Sequence, residues 1–191
     1  MIYLVRHGQT KWNLEQRRQG KLNSDLTDLG IQQAQAVADY ISSLKIDKIY
    51  CSNLGRTVQT AKIIIDKIKT KSKVEIEYTH FLQEIDHGAW DGILKSEIPK
   101  EKLNLPNIQT KYEGGESVAN VADRLKVFLK KLDIINQDIL IIAHNTCNRI
   151  FRTILLDIQL ESYDFFTQDN NQIIIINPIT KQEKLILCQR N

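Results

Sequence analysis

Residues 1–13 read MIYLVRHGQTKWN. Ile2, Tyr3, Leu4 and Val5 are apolar and β-prone, and the run stops at Arg6-His7-Gly8. A short apolar run with β-branched residues, followed by glycine, predicts a buried central strand that exits into a tight turn. In an open α/β sheet, ligands sit beyond the carboxyl ends of such strands. Arg6 and His7 therefore face a crevice rather than a core. Arg6 brings a fixed fork of donors suited to phosphate or carboxylate. His7 brings a nucleophilic or proton-carrying nitrogen, and Gly8 lets backbone come close to a ligand.

The rest of the chain sets the bounds. Its 191 residues fit one domain, 1–191, with room for an inserted lobe. With 42% hydrophobic and 26% charged residues, the composition is that of an ordinary globular protein. A net charge of +3 is too small to argue for nucleic acid. Lys67, Lys69, Lys71 and Lys73 alternate with other residues and read as a solvated helix-to-strand connection. The longest apolar runs, 139–143 and 173–176, fall far short of the ~18 residues that suggest a membrane span. A first strand starting at Ile2 leaves no room for a signal or transit peptide, so a cytoplasmic location is expected. Cys51, Cys147 and Cys188 form no paired framework and no metal-ligand spacing, and read as core fillers in a reducing compartment.

Along the chain, residues 11–21 are polar and read as a loop over the crevice, carrying Trp12, Asn13, Arg17, Arg18, Gln19 and Gly20. Thr27 caps a helix whose stripe is Ile31, Ala34, Ala38 and Ile41, widened by Val37 and Leu44. Lys48 to Cys51 is a second strand, and Ser52-Asn53 leads into a helix with Arg56 near its start. Val74 to Tyr78 alternates as an edge strand does. About 86–115, weak periodicity with Pro99, Pro106 and Gly114-Gly115 predicts an inserted, partly helical flap. Ser117 caps the clearest helix, with Val118, Val121, Ala122, Leu125, Phe128, Leu129 and Leu132 on one face. Residues 138–143, DILIIA, form a central strand that ends at His144, and Asn145-Thr146 open the next helix. Two further strands, 172–176 and 184–188, make a hairpin and a mixed sheet.

The strand ends belong together. Arg6-His7, Arg56, the neighbourhood of Glu84, and His144 each follow a strand-like run, and parallel strands of βαβ units share one carboxyl edge. Two arginines, two histidines and a helix amino end make an anion-selective pocket, with phosphate the natural occupant. Glu84 beside it is suited to protonate a leaving oxygen. Taken singly, these residues also have plain structural readings: Arg56 as an ion-pairing helix residue, Glu84 as a solvated carboxylate, His144 as a buried helix-capping histidine.

LVRHGQTKWN resembles the signature of the histidine phosphatase superfamily, the phosphoglycerate mutase-like fold. The resemblance continues, in order, through RRQG, LTDLGIQQA, YCSNLGRTVQTA, LQEIDHGAWDG, GGESV and IIAHN. It implies a three-layer α/β/α fold around a mixed, mostly parallel sheet. It also implies a covalent mechanism in which His7 attacks phosphorus to give a phosphohistidine. Arg6, Asn13, Arg56 and His144 match the phosphate pocket, the Gln19-Gly20 loop touches the phosphate, Asn145 follows the second histidine, and Glu84 matches the proton donor. Arginines and imidazoles supply the positive charge, so neither metal nor cofactor is expected.

Some positions depart from the pattern. Asn145 stands where glycine is common, Cys147-Asn148 replace residues that are often apolar, and Thr57 follows Arg56 where alanine is commoner. IDHGAWDG resembles the phosphatase branch more than the mutase branch. The expected activity is hydrolysis of a small phosphorylated metabolite. The alternatives are phosphoglycerate mutase chemistry, or a catalytically idle phosphate-binding protein. Ile93 to Gly115 and the segment around Gln168-Asp169-Asn170 are expected to set specificity, and the oligomeric state is left open.

Overall fold

The computed structural model describes residues 1–68, 74–103 and 105–189. In chain order the elements are β1 (Ile2–Arg6), α1 (Lys11–Leu14), α2 (Asp28–Ile41), β2 (Lys48–Ser52), α3 (Gly55–Ile68) and β3 (Glu75–Thr79). They continue with α4 (Lys100–Leu103), α5 (Val118–Leu129), β4 (Ile139–Ala143), α6 (Asn145–Leu156), β5 (Gln172–Ile176) and β6 (Glu183–Leu187). The six strands form one sheet in the order β3-β2-β4-β1-β5-β6. β3, β2, β4 and β1 are mutually parallel, while β5 pairs antiparallel with β1, and β6 with β5.

Alternation along the strands builds the layers. Ile2 and Leu4 of β1, with Ile139 and Ile141 of β4, join Leu125 and Phe128 of α5 and Ile150 and Phe151 of α6 in one core. Tyr3 and Val5, with Leu140 and Ile142, join Val37 and Ile41 of α2 and Ile64 and Ile65 of α3 in the other. Successive side chains of a strand point to opposite faces, so a continuous apolar run is what a sheet covered on both sides requires. The architecture is therefore α/β/α with a mixed sheet.

Most elements fall where the sequence places them, and three details differ. Residues 11–21 are not all loop, because Thr10 and Asn13 close a capping box around the single turn of α1. Ile31 is exposed rather than part of the α2 stripe, so the buried face is carried by Ala34, Val37, Ala38 and Ile41. Glu84 does not follow its strand directly: β3 ends at Thr79, and a 3-10 turn at His80–Leu82 carries the chain round to it. Residues 86–115 contain two more 3-10 turns, Gly88–Trp90 and Lys95–Glu97, besides α4. The expectation for Lys69, Lys71 and Lys73 lies outside the described residues, whereas Lys67 belongs to the last turn of α3. No described helix is long and apolar enough to cross a membrane.

Candidate active site

β1, β2 and β4 are parallel, so their carboxyl ends deliver Arg6-His7, Ser52 and His144 to the same edge of the sheet. The turn after β1 is tight because backbone meets backbone there. A Cβ on Gly8 would come within 2.2 Å of the Gly30 carbonyl oxygen at the start of α2. The resulting crevice, about 700 Å³, is lined by Arg6, His7, Asn13, Gln19, Gly20, Arg56, Glu84 and Asn145, among others. Eight of the nine residues singled out from the sequence thus face one space. The ninth, His144, is fully buried one layer behind it.

His7 is 3% exposed, and its Nδ1 donates to its neighbour's Gly8 carbonyl at 2.8 Å. A carbonyl only accepts, so the proton sits on Nδ1 and the lone pair on Nε2. Burial, then Arg56, then Arg6 hold the His7 imidazole well below its ordinary pKa. The ring is neutral and nucleophilic at neutral pH.

Arg56, at the amino end of α3, is almost wholly buried and held in a fixed pose. Its Nε donates to His144 Nδ1 at 3.1 Å, and its terminal nitrogens donate to the carbonyls of Leu22 (2.6 Å) and Gly20 (2.7 Å). Burial lowers its pKa to about 10, with Glu84 opposing the shift; the guanidinium stays charged at neutral pH. His144 takes the opposite tautomer from His7. Its Nδ1 accepts from Arg56, so Nε2 carries the proton and donates to Ser52 Oγ at 2.9 Å. Burial first, then Arg56 and His7, push it well below its ordinary value. The two rings lie 5.3 Å apart. In this arrangement His144 orients Arg56 and walls off the space behind His7. Arg6 donates to the Gln168 carbonyl at 2.8 Å while its Nε is buried without a partner.

Glu84 is buried and anchored from the opposite wall. Its Oε1 accepts from the N–H groups of Ile85 (3.1 Å) and Cys147 (3.0 Å), and its Oε2 from Thr146 N–H (3.1 Å). The last two are first-turn donors of α6, a helix end that favours a carboxylate. The loop at 19–21 is equally determined. Gly20 has φ +47°, and a side chain there would collide with Asp91, whose Oδ2 accepts from Lys21 N–H and whose Oδ1 pairs with His87 Nδ1 at 2.8 Å. Among the described residues, no three His, Cys, Asp or Glu side chains group to hold a metal ion.

Two expectations about the periphery part company. The flap does line the crevice, through Lys95, Leu103, Leu105, Ile108 and Tyr112. Gln168, Asp169 and Asn170 do not line it. Gln168 is fully buried and bonded to the Leu4 carbonyl, and Asn170 donates to the His7 carbonyl at 2.7 Å, so this segment braces the end of β1 from behind. Arg149 and Lys95 line the crevice and were not singled out from the sequence. Arg149 was findable, since it lies one helical turn after Asn145 on a helix that opens at the pocket; Lys95 sits in a segment without periodicity.

Comparison with known proteins adds to this geometry. The model of the histidine phosphatase superfamily (branch 1) matches residues 2–190. Over 185 residues the chain is 32% identical to phosphoserine phosphatase 1 of Hydrogenobacter thermophilus, covering 92% of this chain and 85% of that protein. It is 36% identical over 134 residues to a probable phosphoglycerate mutase GpmB of Proteus mirabilis, covering 67% of this chain and 60% of that one. The fold superposes on the α-ribazole phosphatase of Shigella flexneri with a TM-score of 0.80 at 24% identity, covering 98% of this chain and 95% of that one.

Proposed function

Because this chain belongs to the histidine phosphatase superfamily, we propose that it hydrolyses phosphomonoesters through a phosphohistidine on His7, without a metal. The observation that carries the reading is the His7 ring itself. Its Nδ1 proton is committed to the Gly8 carbonyl, so Nε2 is left with a lone pair beside Arg6 and Arg56. Nε2 attacks phosphorus and the P–O bond to the alcohol breaks. The equatorial oxygens meanwhile gather charge, which the two guanidiniums stabilise. Glu84 passes a proton, brought in by the monoanionic phosphate ester, to the departing alkoxide. It then takes a proton from the water that attacks phosphorus and frees Nε2, so acid becomes base and the cycle closes.

Likeness to a phosphoserine phosphatase along nearly the whole chain supports hydrolysis over phosphoryl transfer back to substrate. The test is a quenched turnover with 32P-labelled substrate. Acid-labile, alkali-stable label on His7 is expected, with none in His7→Ala and full activity in chelator. Hydrolysis that proceeds without such label rejects the mechanism. Conversion of 3- to 2-phosphoglycerate with little free phosphate would replace hydrolysis by transfer.

A further inference from the structure

The crevice is much larger than a phosphoryl group needs. Cavities of about 300–1,000 Å³ hold ligands of drug size, and this one is about 700 Å³. Its phosphate end is polar and cationic, whereas its flap side adds an apolar stretch, Leu103, Leu105, Pro106, Ile108, Tyr112 and Val118, beside the polar Lys95, Asn107 and Gln109. Leu103, Leu105 and Ile108 are only half-buried and Pro106 is exposed, so apolar surface faces the empty space and gains from being covered.

Arg17 and Arg18, beside this wall, already direct several of their donors to protein acceptors. Arg18 donates to the carbonyls of Lys102 (3.1 Å) and Leu103 (2.6 Å) and to the Tyr112 hydroxyl (3.3 Å), with its guanidinium 4.9 Å over the Tyr112 ring. Arg17 donates to the Gly92 carbonyl (2.6 Å) and to Glu15 (3.2 Å). Both hold the flap in place. Lys95 is exposed at the rim, and Arg18 and Arg6 add to burial in lowering its pKa; it adds to the field around the phosphate end.

We propose that the apolar wall formed by Leu103, Leu105, Pro106, Ile108 and Tyr112 of the flap with Val118 of α5 is the subsite for the substrate's alcohol part. The preferred substrates are then phosphomonoesters of apolar alcohols several carbons long, rather than of compact acidic alcohols such as serine or glycerate. This rests on the phosphatase reading for the word substrate, but the subsite itself is read by binding. The experiment is titration calorimetry of the wild-type chain with ethyl-, butyl- and hexylphosphonate, whose P–C bond is not hydrolysed.

Affinity should rise at least about tenfold from ethyl to hexyl, against a ceiling of roughly fourfold per fully buried methylene. Leu105→Asn and Ile108→Asn, each checked for an unchanged melting profile, should flatten the series. A flat wild-type series overturns the subsite, as does tighter binding of phosphoserine or 3-phosphoglycerate than of hexylphosphonate. A slope that both variants retain moves the contact elsewhere and overturns it too. If the slope is present but hexyl phosphate releases no phosphate, the subsite stands and hydrolysis fails.

Discussion

His7 and His144 differ by a proton position, and their neighbours dictate it. A carbonyl oxygen opposite Nδ1 makes His7 an Nδ1–H tautomer, whereas a guanidinium N–H opposite Nδ1 makes His144 an Nε2–H tautomer. Both rings are held well below the ordinary histidine range, chiefly by burial. Ring 15N spectra of the four histidines at pH 5.5 should therefore show His7 and His144 neutral, as opposite tautomers. Titration of either ring near 6.5 would contradict this. Asn148, where the family often has an apolar residue, also has a clear use. Its Nδ2 donates to the Val5 carbonyl (3.1 Å) and to Gln168 Oε1 (2.8 Å), tying the end of β1 to the segment that braces it. Asn148→Leu leaves the buried Gln168 Oε1 without this donor and removes the side-chain bond to the Val5 carbonyl, which keeps its place in the β1/β4 ladder, and the urea midpoint should report a loss of about 1–3 kcal/mol. An unchanged midpoint would mean that the tie carries no net stability.

Among the helices, α5 holds Glu84, the proposed acid, in place although none of its residues follows a strand end. Arg124 donates to the carbonyls of Phe81 (2.5 Å), Gln83 (2.7 Å) and Glu84 (3.3 Å), and its Nε to Glu116 (3.2 Å). Glu116 in turn accepts from Asp86 N–H, and Lys21 reaches both Asp86 and Glu116. One arginine thus fixes the backbone whose side chain α6 fixes at the other end. Arg124→Ala should lower kcat by about 10²-fold, the usual cost of a catalytic group misplaced by an ångström. Inhibition by vanadate, which reports the phosphate end, should change little, and Arg124→Lys should restore part of the rate. Parallel loss of vanadate affinity would mean a general collapse of the site instead. Arg124 also marks where sequence reading runs out. β1 and β4, Thr27, Ser117 and the pair Arg6-His7 were legible because each depends on local chemistry: an apolar run, a cap, a polar residue at a strand end; Asn13, Gln19, Gly20 and Asn145 came to the site only through the family resemblance. Arg124 grips three carbonyls some forty positions away, and the retreat of His144 behind Arg56 depends on three side chains from three elements. No periodicity encodes such contacts.

At the scale of the molecule, the site costs stability, because a sheet covered on both faces buries two imidazoles with it. The folded chain keeps His7 and His144 neutral at a pH where the unfolded chain, with ordinary values near 6.5, binds protons. Unfolding then takes up protons, so stability rises with pH. The loss starts as pH falls through about 6.5 and grows until the depressed folded values are reached. Each ring contributes at most about 1.4 kcal/mol per pH unit in that window, and the two together about twice that. The Asp47 carboxyl is held below its ordinary value of 3.8, chiefly by the Asp138 N–H, so its own loss begins only at lower pH. Melting followed from pH 7.5 to pH 5 should therefore show a falling midpoint in the wild type and a shallower fall in His7→Asn. His144→Gln should behave likewise, because an amide carries no proton to gain in the unfolded chain. On the proposed phosphate site, inorganic phosphate should raise the midpoint at each pH by mass action, adding about 2.7 kcal/mol of stability at a hundred times its dissociation constant. A wild-type midpoint that is flat across the window, or a His7→Asn variant that falls as steeply, would place the acid sensitivity of the fold outside these two rings.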